Sequence, residues 1–188
     1  MKQFILLFLI SAIFAGKDIQ LITKDKWVSD LIELAKRVSE YDNHWPKNVL
    51  YFDGYKWTAD CVNLQKALFN GRNIYDFTVG GYQHDLTNTG DIDTETMIKL
   101  CYDVSSNFNA LKEGEPRILH LSGHIGAYLG KTVDISGSKY NVVEATGSFG
   151  YKIAFSWVDS NGVRRSERGG YTNGRWTSHG KPSRWVKY

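Results

Sequence analysis

The chain has 188 residues, 42% of them hydrophobic and 23% charged, with a formal net charge of +3. That balance suits one globular domain with a real core, and sets the chain apart from low-complexity sequences. No apolar run is long enough to cross a bilayer as a helix, so no membrane anchor is expected.

Residues 1–15, MKQFILLFLISAIFA, carry a basic Lys2, an apolar run from Phe4 to Phe14 and a small Ala15. This is the pattern of a secretory signal peptide, cleaved near Ala15 or Gly16. Residues 16–188 are then expected as a single soluble, secreted domain. No Asn-x-Ser/Thr acceptor occurs, so no N-glycan is implied.

Val28, Leu31, Ile32, Ala35 and Val38 recur at helical spacing and predict a helix over 25–40. An irregular aromatic stretch follows, broken by Pro46 and Gly54. DCVNLQKALFNG reads as a short, largely buried helix, with Asp60 as N-cap and Gly71 as its stop. A third helix is expected over 93–104, with Met97, Cys101 and Val104 on one face. After Pro116 the periodicity turns from helical to alternating, with strands expected over 117–121, 124–129, 140–146, 151–158 and 184–187. Helices first and antiparallel strands afterwards is an α+β pattern. The segment from Val163 onward holds seven basic residues against Glu167, a net +6 that leaves −3 for the rest. Such a segment can dock on an anionic polymer, or be a solvated sheet edge guarded by Arg and Lys, which is the plainer reading.

Three residues carry chemistry in chain order. In GHIGAYLG, Ile125, Ala127 and Leu129 share one strand face, while His124, Gly126 and Tyr128 share the other, where the glycines clear space around the imidazole. Cys61 opens the buried helix, where the positive end of the dipole and free N–H groups favour thiolate, the species that attacks a carbonyl. A histidine on a later strand would supply the base, and a third polar group would orient it. In NVVEATG, Glu144 projects opposite Val143 and Ala145 and is placed to accept from the His124 ring. Each residue also has a plainer reading. His124 and Glu144 alone would be exposed strand residues, and Cys61 could pair with Cys101, the only other cysteine of a secreted chain.

DC at a helix start, GHIGAYLG on a strand and VVEAT after it resemble the NlpC-type cell-wall peptidases and their CHAP relatives, which share a papain-like core. The likeness is closest to the peptidases of phage lysins and clostridia. GGY at 80–82, DIDTETMIKLC at 91–101 and WTSHGK at 176–181 extend it from about Trp57 to the C-terminus. The resemblance implies a papain-like fold and a thiol hydrolase that cuts peptide or amide bonds in peptidoglycan stem peptides without metal or cofactor. Cys61 would be the nucleophile, His124 the general base and then acid, and Glu144 the orienting residue. It also implies a free Cys61, leaving Cys101 as a buried core thiol. Bacterial peptidoglycan is the expected partner of a monomer; no nucleic acid is implied. Two alternatives stand beside this reading: a secreted glycan-binding module that does not cut, and an acyltransferase using the same nucleophile.

Two departures bear on it. The family carries Ser-Gly after the cysteine, and here Val62-Asn63 stands there, which would narrow or reshape the cleft. Moreover, a simple reversal at Gly137-Ser138 would set Glu144 opposite Lys131, roughly 23 Å from His124 at about 3.3 Å per residue. The triad therefore requires 131–140 to be an excursion that does not set the strand register. Most of the six tryptophans are expected in the core. Trp57 and Tyr82 are candidates to line a substrate groove. The oxyanion site would combine the Cys61 N–H with a side-chain donor from 51–57. The remaining histidines lack ligand spacing, so no zinc is proposed.

Overall fold

A short β1 (Ile22–Thr23) leads into α1 (Lys24–Val38), then β2 (Tyr51–Phe52), β3 (Trp57–Thr58), α2 (Cys61–Phe69), β4 (Gly81–Tyr82) and α3 (Thr94–Lys99). The later elements are β5 (Tyr102–Ser105), β6 (Arg117–Leu121), β7 (His124–Ile135), β8 (Ser138–Thr146), β9 (Lys152–Val158), β10 (Val163–Ser166), β11 (Tyr171–Arg175), β12 (Ser178–Lys181) and β13 (Val186–Lys187). The structure is a computed structural model that describes residues 19–38, 60–71, 88–146, 152–166 and 171–188, with the backbone of β2, β3 and β4. The expected signal peptide lies outside the described residues.

Eight strands form one antiparallel sheet in the order β11-β10-β9-β8-β7-β6-β12-β5, and the helices lie on one face, an α+β arrangement. Trp27, Leu31, Leu34 and Ala35 of α1 and all nine residues of α2 are buried. They pack on Ile118, Ile125, Ala127, Leu129, Val143, Ala145, Ile153 and Phe155 of the sheet. Phe69 anchors this layer between Trp27 and Trp185, with ring centroids 5.4 and 5.1 Å away. β13 runs parallel to β1, which ties the C-terminal end to the start of α1. The alternation read in 124–129 holds: its odd residues face the helices. The other face is also covered, by Phe108, Leu119, Tyr128, Val142, Val158 and Trp176.

Several expectations need correction. The third helix stops at Lys99, capped by Asp93, whose side chain accepts from Thr96 N–H. The chain then turns into strand β5, so Val104 is exposed and Cys101 is buried outside the helix. The strand expected over 124–129 runs on to Ile135, and the final strand is only Val186–Lys187. The basic segment is no loose tail, since it supplies β10, β11 and β12, with Arg164 and His179 buried.

The hairpin of β7 and β8 is likewise not an excursion. Near its turn Val133 pairs with Tyr140, but closer to the sheet centre Ala127 pairs with Val143, so six residues of β7 answer three of β8. The surplus is absorbed around Gly130, at φ +65°, where an added Cβ would lie 2.8 Å from the Pro116 nitrogen. A bulge of this kind resets register within a continuous ladder. It brings Glu144 level with Gly126 rather than Lys131, two residues from His124 and on the same face.

Candidate active site

Asp60 has extended backbone angles and its carboxylate accepts from Asn63 N–H at 2.7 Å, capping α2 and making Cys61 the first helical residue. The Asn63 amide donates to the other Asp60 oxygen at 2.6 Å. Val62 and Asn63 are both buried, and the Asn63 side chain is engaged in the cap. The Cys61 sulfur meets backbone N–H groups from Ile125, Val62 and Cys61 itself, which favour thiolate. Burial outweighs them, Asp60 adds repulsion, and the thiol is pushed up to about 11. The expected resting thiolate is thus corrected to a neutral thiol. Both cysteines are free, so the Cys61–Cys101 disulfide is not formed. Cys101 is buried with its thiol donating to Met97 C=O at 3.4 Å.

Ile125 is the residue after His124, so the sulfur lies beside the strand head from which the imidazole projects. That head is fixed by the tight turn from Leu121 to His124 and by Glu95, which accepts from Gly123 N–H at 3.2 Å and pairs with His120 at 3.0 Å. His124 Nε2 lies 2.7 Å from Glu144 Oε2. Glu144 is fully buried, and its oxygens also receive Ser156 Oγ at 2.5 Å and Arg164 Nε at 2.9 and 3.1 Å. Arg164 NH2 bonds Oε2 as well and reaches Thr146 Oγ1 at 2.8 Å. Burial alone would raise the Glu144 carboxyl, but the hydrogen bond from His124 and the Arg164 charge win and hold it below the ordinary range. An ionised carboxylate only accepts, so Nε2 carries a hydrogen, which leaves Nδ1 as the nitrogen that can accept.

Trp176 lies under this pair. Its ring stacks on His124 at 5.5 Å and 19°, and the Arg164 guanidinium carbon sits 5.5 Å from the ring centre. Gly126 is what admits it: an added Cβ would be 2.9 Å from Trp176 Cη2 and 3.2 Å from Glu144 Cβ. The glycine beside the histidine therefore makes room for a tryptophan rather than for a substrate.

The structure brings His124 and Glu144 into direct contact and sets Cys61 against the adjoining backbone. Arg164, Trp176 and Ser156 are site residues that the sequence reading missed. A signal for Arg164 existed: DSNG at 159–162 is a turn, so 163–166 is a return strand, and of two adjacent arginines in a strand one must face inward. Trp57 and Tyr82 both flank β2 in the small sheet β3-β2-β4, but their side chains lie outside the described residues. So does the 51–57 donor expected for the oxyanion. No helix among the described residues is long and apolar enough to cross a membrane. Comparison with protein-family models, curated proteins and solved structures finds no match to this chain.

Proposed function

We propose that this protein is a secreted, monomeric cysteine peptidase or amidase with a papain-like core, hydrolysing amide bonds in the stem peptides of peptidoglycan. The observation that carries the reading is the buried His124–Glu144 hydrogen bond at a strand head whose next residue hydrogen-bonds the sulfur of Cys61. A thiol at a helix start, an imidazole on the adjoining strand and a carboxylate on the next are the parts of nucleophilic acyl transfer. Peptidoglycan as substrate and secretion as destination rest on the NlpC- and CHAP-like motifs and on residues 1–15.

Because the resting thiol is neutral, the proton leaves as the sulfur attacks. Nδ1 of His124 takes the Cys61 proton while Sγ bonds the scissile carbonyl carbon. The imidazolium keeps its Nε2 hydrogen bond to Glu144 and rests on the Trp176 face beneath it. The Cys61 N–H is a donor for the oxyanion. The imidazolium then gives its proton to the leaving amine. His124 next deprotonates a water that attacks the thioester, releasing the acid and restoring the thiol.

The binding-module alternative gains nothing from Asn63, whose amide is spent on the helix cap. The test is release of soluble peptide and of new amino or carboxyl groups from purified peptidoglycan. Wild-type protein is expected to release them, and Cys61→Ala to fall to background, a loss of about a thousandfold or more. Equal release by both proteins, or none by either, would overturn the proposal.

A further inference from the structure

Every acceptor position of Glu144 is occupied. Oε1 receives Ser156 and Arg164, and Oε2 receives Arg164 and His124. The carboxylate has no room for a proton and sits fully buried. Left with His124 alone, such a charge would draw a proton onto the imidazole and hold it there, and an imidazolium cannot act as a base. Arg164, itself 4% exposed, changes this. Its fork brings one positive charge onto the carboxylate, and its NH2 lies 3.4 Å from Nε2, two donors converging on one oxygen. The pair is therefore neutral as seen from the ring, while its geometry still fixes which nitrogen carries the hydrogen.

We infer that Arg164 is a positioning residue that balances the Glu144 charge, so that His124 rests as a neutral base holding its hydrogen on Nε2 and presenting Nδ1. The inference rests on the Cys61–His124 reading for its catalytic meaning but makes a claim about the ring that is independent of it. Among the described residues, the other charged or titratable groups near the head of this strand are Glu95 of α3 and its partner His120 on β6, behind the turn at Gly123, and Cys61 with Asp60 at the start of α2. Arg164 and Glu144 are the groups, among the described residues, that reach the ring nitrogen.

The test is a 15N titration of the histidine side chains, with His124 assigned through His124→Gln, alongside pH profiles of peptidoglycan hydrolysis. In wild-type protein the ring is expected as a single Nε2–H tautomer. In Arg164→Met its titration midpoint should rise by about one pH unit or more, and the acid limb of kcat/KM should rise with it, KM changing little. In Glu144→Gln/Arg164→Gln, where neither buried charge remains, the midpoint should return to within about half a unit of wild type. Arg164→Lys keeps the charge but not the fork, so the midpoint should hold while the tautomers mix and kcat falls about tenfold. If Arg164→Met does not fold, the lysine and double variants decide. An unmoved or lowered midpoint in Arg164→Met, a displaced one in the double variant, or a lysine variant with wild-type tautomer and kcat would each overturn the inference. Wild-type protein inert on peptidoglycan would sink the proposed function and leave the titration result standing.

Discussion

Gly126 shows how one missing methyl group sets a site. The alternation of β7 places it between His124 and Tyr128 on the face away from the helices, and the space it leaves is taken by Trp176. Gly126→Ala is expected to displace the indole from the imidazole and to cost about 1–3 kcal/mol, the usual penalty of overpacking. Chemical denaturation with near-ultraviolet circular dichroism checks this; wild-type stability and an unchanged tryptophan signal would contradict it. Cys61 shows the opposite case, where a motif was legible but its ionisation was not. The N–H groups of the helix start were foreseeable from DC before an apolar run. Burial of the helix and the Asp60 cap could be read there too, but not that burial would outweigh the N–H groups and leave the thiol neutral.

Among the elements, α1 was legible from its apolar spacing and α2 from its caps, because both signals are local. Asp60 and Gly71 mark α2 at both ends, as read from the sequence. The 93–104 segment misled because its apolar spacing continued past the cap at Leu100, where the sheet recruited the chain as an edge strand. The β7–β8 register was the least legible in the sequence. A turn near Ser136-Gly137 dictates one pairing, and only the surplus residues around Gly130 convert it into the pairing that aligns Glu144 with His124. Gly130→Ala forces a side chain onto a left-handed backbone against Pro116, which costs about 1–3 kcal/mol. The bulge should relax, loosening the His124–Glu144 contact 2.7 Å apart in the native register. Loss of stability together with loss of the single His124 tautomer is the expected result. A variant that is destabilised but keeps that tautomer would show that register does not depend on the bulge.

Across the whole molecule a second buried polar group braces the far end of the sheet. His179 of β12 accepts from Arg117 on one nitrogen at 3.1 Å and donates to Asn107 C=O from the other at 3.0 Å. Arg117 continues to Asp103 at 2.6 Å and Glu115 at 3.3 Å. Burial and the Arg117 charge hold the His179 ring below its ordinary 6.5, although its bond to Asn107 works the other way. The unfolded chain therefore binds this proton first as pH falls. The stability contributed by neutral His179 is full above about 6.5 and is lost as pH drops from there toward the lowered folded value. Wild-type protein should lose more unfolding free energy between about pH 7.5 and 5.5 than His179→Asn does. Equal losses in urea titrations would contradict this.

The sequence by itself determined what short-range rules govern. These are the α+β class, the amphipathic α1 and the capped α2, the odd-even faces of β7, and the order of a cysteine, a histidine and a glutamate on a helix start and two strands. Caps, periodicity and alternation act over a few residues, so they can be read from neighbours. Only the tertiary structure decided the three-residue slip that levels Glu144 with Gly126, the burial that keeps Cys61 protonated, and the choice of Arg164 rather than Arg165 as the inward arginine. Each depends on groups distant in the chain meeting in a dry interior, as Glu144 and Arg164 do across 20 residues. There the cost of an unpaired charge is large enough to select one arrangement.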